Sequence, residues 1–237
     1  MLTAEHRRLH KWLLQRYIAY RARRTFHSIR LSGSWDLLET SNSYPLVLYG
    51  NHHTWWDGFL DLMIARRFEL DYYVMMDAAQ LLQFPFFRKC GVFGIDLTTG
   101  SGRSAGLLHA IRLLKAGAET RRSLFIYPHG RLQPSESGPI PAFQSGLSTL
   151  LKKAAPVTPI PVYHWFRFGK HPLAEVFIHL GSPVPANRHG DDSQLVRALE
   201  NARDLVQQKY GDPEKPVDEN DKGIWLLPPP KCYRGKT

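Results

Sequence analysis

Only two cysteines occur in the 237 residues, Cys90 and Cys232, far apart and without the spacing of metal ligands. That scarcity argues against a disulfide-stapled scaffold or a zinc ribbon, and it fits a reducing compartment. No run of about 18 apolar residues appears, so the sequence offers no simple membrane-spanning helix. The first residues do not read as a secretory leader, because they lack a continuous apolar core and a small-residue cleavage site. Acidic residues are scarce at one end: residues 1–30 hold eight Lys/Arg against Glu5 alone, so +7 of the net +10 lies there. The rest of the chain is close to neutral. A nucleic-acid-binding domain would thread basic residues through its folded body, so no nucleic-acid partner is expected.

What is present is enough apolar sequence, 43% of the residues, to bury a real core. In the basic arm Leu9, Leu13 and Tyr17 recur every four residues. Trp12, Leu14, Ile18 and Tyr20 widen that stripe, and Arg7, Arg8, Lys11, Arg16, Arg21, Arg23 and Arg24 fill much of the remainder. The pattern predicts a basic amphipathic helix over residues 1–27. Such a helix suits the interface of a membrane with anionic lipids, which would make the protein peripheral, at the cytoplasmic face. The plainer alternative is a helix that packs on the domain and turns a solvated basic face outward.

Beyond the arm, apolar runs alternate with helical patterns. SIRLSGSWDLL reads as a short strand and turn, and PLVLYG as a buried strand. LDYYVMM, VFGIDL, SLFIYP, VTPIPVYHWF and AEVFIHLG read as further strands. Helical patterns fall in GFLDLMIARR, in AAQLLQFPFFRKCG (interrupted at Pro85), in AGLLHAIRLLKAG, in GLSTLLKKA and in SQLVRALENARDLVQQKY, with Asp192 or Ser193 as the last helix's N-cap. This alternation predicts a single α/β domain over residues 28–210, with a largely parallel central sheet flanked by helices. Residues 211–237 read as a loosely held C-terminal tail in which IWLL docks on the body.

The densest chemistry is in VLYGNHHTWWDGFLDLM, where Asn51, His52, His53 and Thr54 follow a strand and Asp57 opens the next helix. Catalytic groups in open α/β sheets gather outside the carboxyl ends of strands. His52 and Asp57 lie five apart, and across a loop-to-helix junction the carboxylate can fold back onto the imidazole. A histidine so oriented is a good general base, since its pKa lies near neutral pH. The same residues also read as a helix cap and a turn, with the tryptophans in the core.

NHHTWWD resembles the Asn-His-x-Ser/Thr-x-x-Asp block of the lysophosphatidic-acid (glycerolipid) acyltransferase superfamily. Four more stretches resemble that family's later blocks in the same order: FRKCGVFGID, LFIYPHGRLQP, PAFQSGLSTL and TPIPVY. Together they cover about residues 28–185. The resemblance implies transfer of a fatty acyl group from acyl-CoA or acyl carrier protein, as co-substrate, to a hydroxyl of a membrane lipid acceptor. It implies His52 as general base and Asp57 as its orienting carboxylate, with no acyl-enzyme, no metal and no bound cofactor. Asn51, Thr54, Trp55, Arg103, His129, Gly130 and Arg131 become the expected substrate-binding residues, with Trp56 divided between groove and core.

The departures from the family pattern are specific. Leu97 stands where the second block carries arginine. In the third block His129 replaces the glutamate, Arg131 the threonine and Leu132 the arginine. Family members hold a glycerol phosphate with those groups, so the acceptor here is expected to be a lysophospholipid gripped by a shifted Arg131 or by Arg103, or else a glycolipid or glycosylated isoprenoid. Two other readings compete. GRSAG matches the Gly-x-Ser-x-Gly of serine esterases, with Ser104 as nucleophile and Glu175 and His189 as partners, although TTGS separates it from its strand. A catalytically inactive, membrane-binding relative is the second.

Overall fold

The computed structural model describes residues 2–40, 45–116, 120–133, 139–185, 187, 191–215, 217 and 221–230. Cys232, His189, Pro134 at the end of the third block and the last part of the tail lie outside them.

An eight-stranded sheet organises the domain. Its strands are β1 (Phe26–Gly33), β2 (Leu46–Gly50), β3 (Asp71–Asp77), β4 (Val92–Ile95), β5 (Arg122–Ile126), β6 (Thr158–Arg167), β7 (Ala174–Leu180) and β8 (Ile224–Leu227), in the spatial order 4-3-5-2-6-7-1-8. Strands β4, β3, β5, β2 and β6 run parallel. β7 returns antiparallel to β6, β1 runs parallel to β7, and β8 closes the edge antiparallel to β1. This is the single α/β domain with a largely parallel sheet that the alternation predicts.

Among the described residues seven α-helices accompany the sheet: α1 (Arg8–Thr25), α2 (Asp36–Thr40), α3 (Asp57–Arg67), α4 (Ala78–Gln83), α5 (Gly100–Lys115), α6 (Gly146–Ala154) and α7 (Asp192–Tyr210). The central strand β2 is buried along its whole length and splits its side chains between two cores. Leu46 and Leu48 join the layer containing α1 and α3, while Val47 and Tyr49 join the layer of α5, α6 and α7. Period-two alternation with apolar residues on both faces is what a strand covered on both sides requires.

Several local expectations need correction. DLLET after Trp35 is a short helix rather than part of a turn, with Leu38 buried. The N-cap of α7 is Asp191, whose carboxylate accepts from the Ser193 N–H at 2.9 Å, one residue before the two candidates. Pro85 does divide its segment: α4 stops at Gln83 and a 3₁₀ helix follows over Pro85–Lys89. IWLL is the edge strand β8, and the described tail is anchored further by Asp221, which receives Arg30 Nε at 3.0 Å together with Lys209 and the Tyr210 hydroxyl.

The basic helix α1 is not a free arm. Leu14, Ile18 and Ala22 are buried against the domain. The stripe of Leu9, Leu13 and Tyr17 therefore faces outward, with Trp12 and Tyr20 beside it, all five exposed. At 100° per residue this outward arc also carries Arg16, Arg23 and Arg24. Three cation–π contacts tie the two kinds together: Arg16 over Trp12, Arg21 over Tyr17 and Arg24 over Tyr20, at 5.7, 5.8 and 5.3 Å.

Candidate active site

β2 ends in Gly50, and a side chain there would meet trouble at once, since a Cβ would lie 2.6 Å from the Val162 carbonyl oxygen on β6. Glycine thus lets the two strands run close up to the point where the chemistry begins. Asn51 fastens that junction: its amide NH₂ donates to the His164 carbonyl and its oxygen accepts from the His164 N–H, both at 2.8 Å. Both ends of the side chain are spent on backbone, so Asn51 holds the end of β2 in place.

The loop that follows wraps around one carboxylate. Asp57, fully buried at the start of α3, receives His52 Nδ1–H at 2.9 Å and the backbone N–H groups of His53 and Thr54 at 2.8 and 2.9 Å on Oδ2. The Thr54 hydroxyl reaches Oδ1 at 3.3 Å and also accepts from the Trp56 N–H. Burial alone would raise the pKa of Asp57, but the His52 hydrogen bond, the proximity of His164 and the Thr54 N–H bring it below the ordinary value. The carboxylate is therefore ionised at neutral pH. A carboxylate acceptor on Nδ1 selects the tautomer of His52 that leaves Nε2 unprotonated, and the side chain keeps 23% of its surface open to solvent. An accessible lone pair backed by a dry, ionised carboxylate is the equipment of a general base.

The neighbouring histidine is employed differently. His53 donates from Nδ1 to the Gln133 carbonyl at 2.6 Å, while the Gln133 N–H donates to the His52 carbonyl at 2.6 Å. His53 thereby pins the loop after β5 to the end of β2, and burial keeps its pKa low. The two tryptophans are divided as expected: Trp56 packs edge-on against Phe26 in the core, and Trp55 is 61% exposed in the loop, edge-on to Phe59.

The third block is less open than its position suggests. His129 is buried, its Nε2 lies 3.2 Å from the Pro141 carbonyl, and its ring meets Phe143 edge-on. Burial lowers its pKa, so it is neutral and supplies no charge for an anionic ligand. Gly130 turns the chain at φ +68°, where a Cβ would also strike the Gln144 side chain at 2.7 Å. Arg131 beyond it is exposed, as are Leu132 and, at the start of α5, Arg103. Leu97 is half-buried after β4.

Ser104 lies inside α5, on its exposed side, four residues past the helix start, whereas an esterase nucleophile sits on a sharp turn straight out of a strand. Glu175, its proposed acid, is on β7 and paired with Arg167 at 2.7 Å. The esterase reading is set aside on that geometry. Among the described residues one cluster of ligand-type side chains gathers, His27, His171 and Glu175, within 4.8 Å of one another. The two rings stack at 3.6 Å with planes 5° apart, so their in-plane lone pairs run side by side instead of converging on one point.

Three participants were not foreseen: Asp61, Tyr127 and His164. Asp61 is a second acid on the apolar face of α3 and His164 interrupts an apolar strand, which were the available signals.

No protein-family model and no curated protein matches the sequence. Among solved structures the chain is similar to the 1-acyl-sn-glycerophosphate (LPA) acyltransferase PlsC from Thermotoga maritima, with 17% sequence identity and a TM-score of 0.57. The likeness covers 86% of this chain and 82% of that one. At that identity it establishes a shared fold.

Proposed function

We propose that this protein is an acyltransferase that moves a fatty acyl group from a thioester, acyl-CoA or acyl carrier protein, to a hydroxyl of a membrane lipid. The observation that carries the reading is the pairing of His52 with buried Asp57 outside the carboxyl end of β2, on a fold shared with an acyltransferase. His52 Nε2 takes the proton of the acceptor hydroxyl as its oxygen attacks the thioester carbonyl. The C–S bond then breaks, an ester forms, and the imidazolium returns its proton to the departing thiolate. Asp57 holds the ring and stabilises the transient charge. No covalent acyl-enzyme is needed, because base and acceptor meet directly.

The outward face of α1 supports a membrane-surface location. Exposed Trp12, Tyr17 and Tyr20 with interleaved arginines match the interface of an anionic bilayer. Among the described residues no helix is long and apolar enough to cross a membrane. The location proposed is peripheral, on the cytoplasmic leaflet. An inactive relative would have no need to keep an ionised, fully buried carboxylate aimed at an open imidazole.

The test is to incubate the purified protein with radiolabelled acyl-CoA, or acyl carrier protein, and extracted membrane lipid. Labelled ester in the lipid fraction, lost in His52→Gln, supports the reading. Labelling of Ser104 by a serine-hydrolase probe, or an absence of transfer from both donors, would overturn it.

A further inference from the structure

Behind the His52–Asp57 pair lies a second one. His164 on β6, fully buried, sets Nε2 3.0 Å from Oδ1 of Asp61, which is one turn along α3 from Asp57. The other oxygen of Asp61 accepts from the Tyr127 hydroxyl at 2.6 Å. Tyr127 directly follows β5, and its ring lies flat against the imidazole of His52, with centroids 4.2 Å apart and planes 10° apart. The backbone of His164 is also the group that Asn51 clasps. Side chains from α3, from β6 and from the residue after β5 thus build one polar chain, its Asp61 and His164 buried, that ends on the face of the half-buried base.

Stability alone is a poor account of this chain. Buried ionisable pairs contribute little compared with apolar packing of the same volume. Here Nδ1 of His164 is moreover buried with no hydrogen-bond partner among the described residues, a cost that calls for a reason.

We propose that Asp61, anchored by His164, fixes Tyr127 as a platform whose ring face stabilises the charged form of His52 and so sets its strength as a base. An aromatic face carries negative potential and attracts a cation stacked on it. A phenol donating to a carboxylate has a more electron-rich ring than a free one. The hydroxyl remains a donor at every working pH, because burial and the neighbouring acids Asp61 and Asp57 push its pKa well above the usual tyrosine value. The other titratable groups around His52 are Asp57 on α3, His53 on its own loop and His129 after β5. Burial lowers the pKa of both those histidines. Behind Asp57 lies His164, where burial works to lower the pKa but Asp61 and Asp57 outweigh it and raise it. Asp57 is thus the charged neighbour bonded to the ring, and Tyr127 the one that stacks on it. Tyr127 is a positioning residue: it touches the base, not the substrate. The inference rests on His52 being the general base.

Titration of the His52 ring by NMR in the full-length protein tests it, with the resonance assigned by its loss in His52→Gln. Tyr127→Leu should move the His52 midpoint down by roughly half a pH unit. Tyr127→Phe, which keeps the stacked ring, should recover most of that. The acid limb of the kcat/KM profile should shift down by the same amount, since a less stable imidazolium forms at lower pH. If Tyr127→Leu fails to fold, Asp61→Asn must show a downward shift. An unchanged His52 midpoint in whichever of these two variants is folded overturns the proposal. A shifted midpoint in a protein that transfers no acyl group would sink the proposed function and leave this coupling standing.

Discussion

Oδ2 of Asp57 lies 2.9 Å from Nδ1 of His52 although the two are five positions apart, a pairing that a continuous helix would forbid. The chain achieves it by laying the His53 and Thr54 N–H groups on the same oxygen, so the loop is folded around the carboxylate. Replacing Asp57 by asparagine therefore removes a charge and also weakens the three hydrogen bonds on that oxygen.

His52→Gln should abolish acyl transfer, by about 10²–10⁴-fold, while the melting temperature changes little, because a partly open side chain at a strand end carries chemistry more than packing. Asp57→Asn should lose a similar fraction of activity and several degrees of Tm. Side-by-side turnover assays and thermal melts read both. Full activity in His52→Gln would show that another group is the base.

His53→Ala should act through the loop it pins. Losing the bond to Gln133 is expected to lower stability by about 1 kcal/mol and turnover only several-fold, with the pH optimum unmoved. A loss as deep as that of His52→Gln would transfer the catalytic role to His53.

Membrane binding is best tested by point changes. Deleting residues 1–27 would strip Leu14, Ile18 and Ala22 from the core along with the outward face. Changing Arg16, Arg23 and Arg24 together to glutamine spares the buried side and should weaken binding to anionic vesicles about a hundredfold, at about 1 kcal/mol per charge. Sedimentation with neutral and anionic vesicles reads this, and equal binding of the native protein to both would refute the electrostatic account.

The acceptor is expected to lack a phosphomonoester. Leu97 and exposed Leu132 cannot offer the bidentate hydrogen bonds that a dianionic phosphate needs in a partly dry site. Buried, neutral His129 does not replace them. Lysophosphatidic acid should then turn over with kcat/KM about a hundredfold below that of a lysophospholipid with a substituted phosphate or a glycosylated lipid. Comparable rates would reassign the grip to Arg131 or Arg103, and Arg131→Ala should in that case raise KM sharply.

Acid should loosen the sheet edge. Burial works to raise the Asp221 carboxyl, but Lys209, Tyr210 and Arg30 overcome it and hold it at about 2, against an ordinary 3.8. A carboxyl more acidic in the folded than in the unfolded chain stabilises the fold above the unfolded value, and that contribution is lost as pH falls through the folded one. Asp221→Asn should thus lower Tm at neutral pH and show a shallower fall between about pH 4 and about pH 2. Circular-dichroism melts across that window check it, and parallel curves for the two proteins would exclude the linkage.

The alternation of apolar runs with helical patterns determined the α/β class, seven of the eight strands and the placing of His52 and Asp57 at a strand end, because these follow from local periodicity and turn chemistry. Local pattern also marked Leu9, Leu13 and Tyr17 as one stripe. Only packing decided that this stripe faces outward while Leu14, Ile18 and Ala22 turn in, since a helix with apolar residues on both sides has no inside until a sheet covers one of them. Tertiary structure likewise tied His53 to the Gln133 carbonyl, buried His129, and made β8 from a segment that reads as tail. It also joined Asp61, Tyr127 and His164, residues 66 and 103 positions apart along the chain, through contacts that no spacing along the sequence encodes. Such contacts depend on which strands lie side by side, and that order is set by the burial of the whole sheet rather than by any one stretch of it.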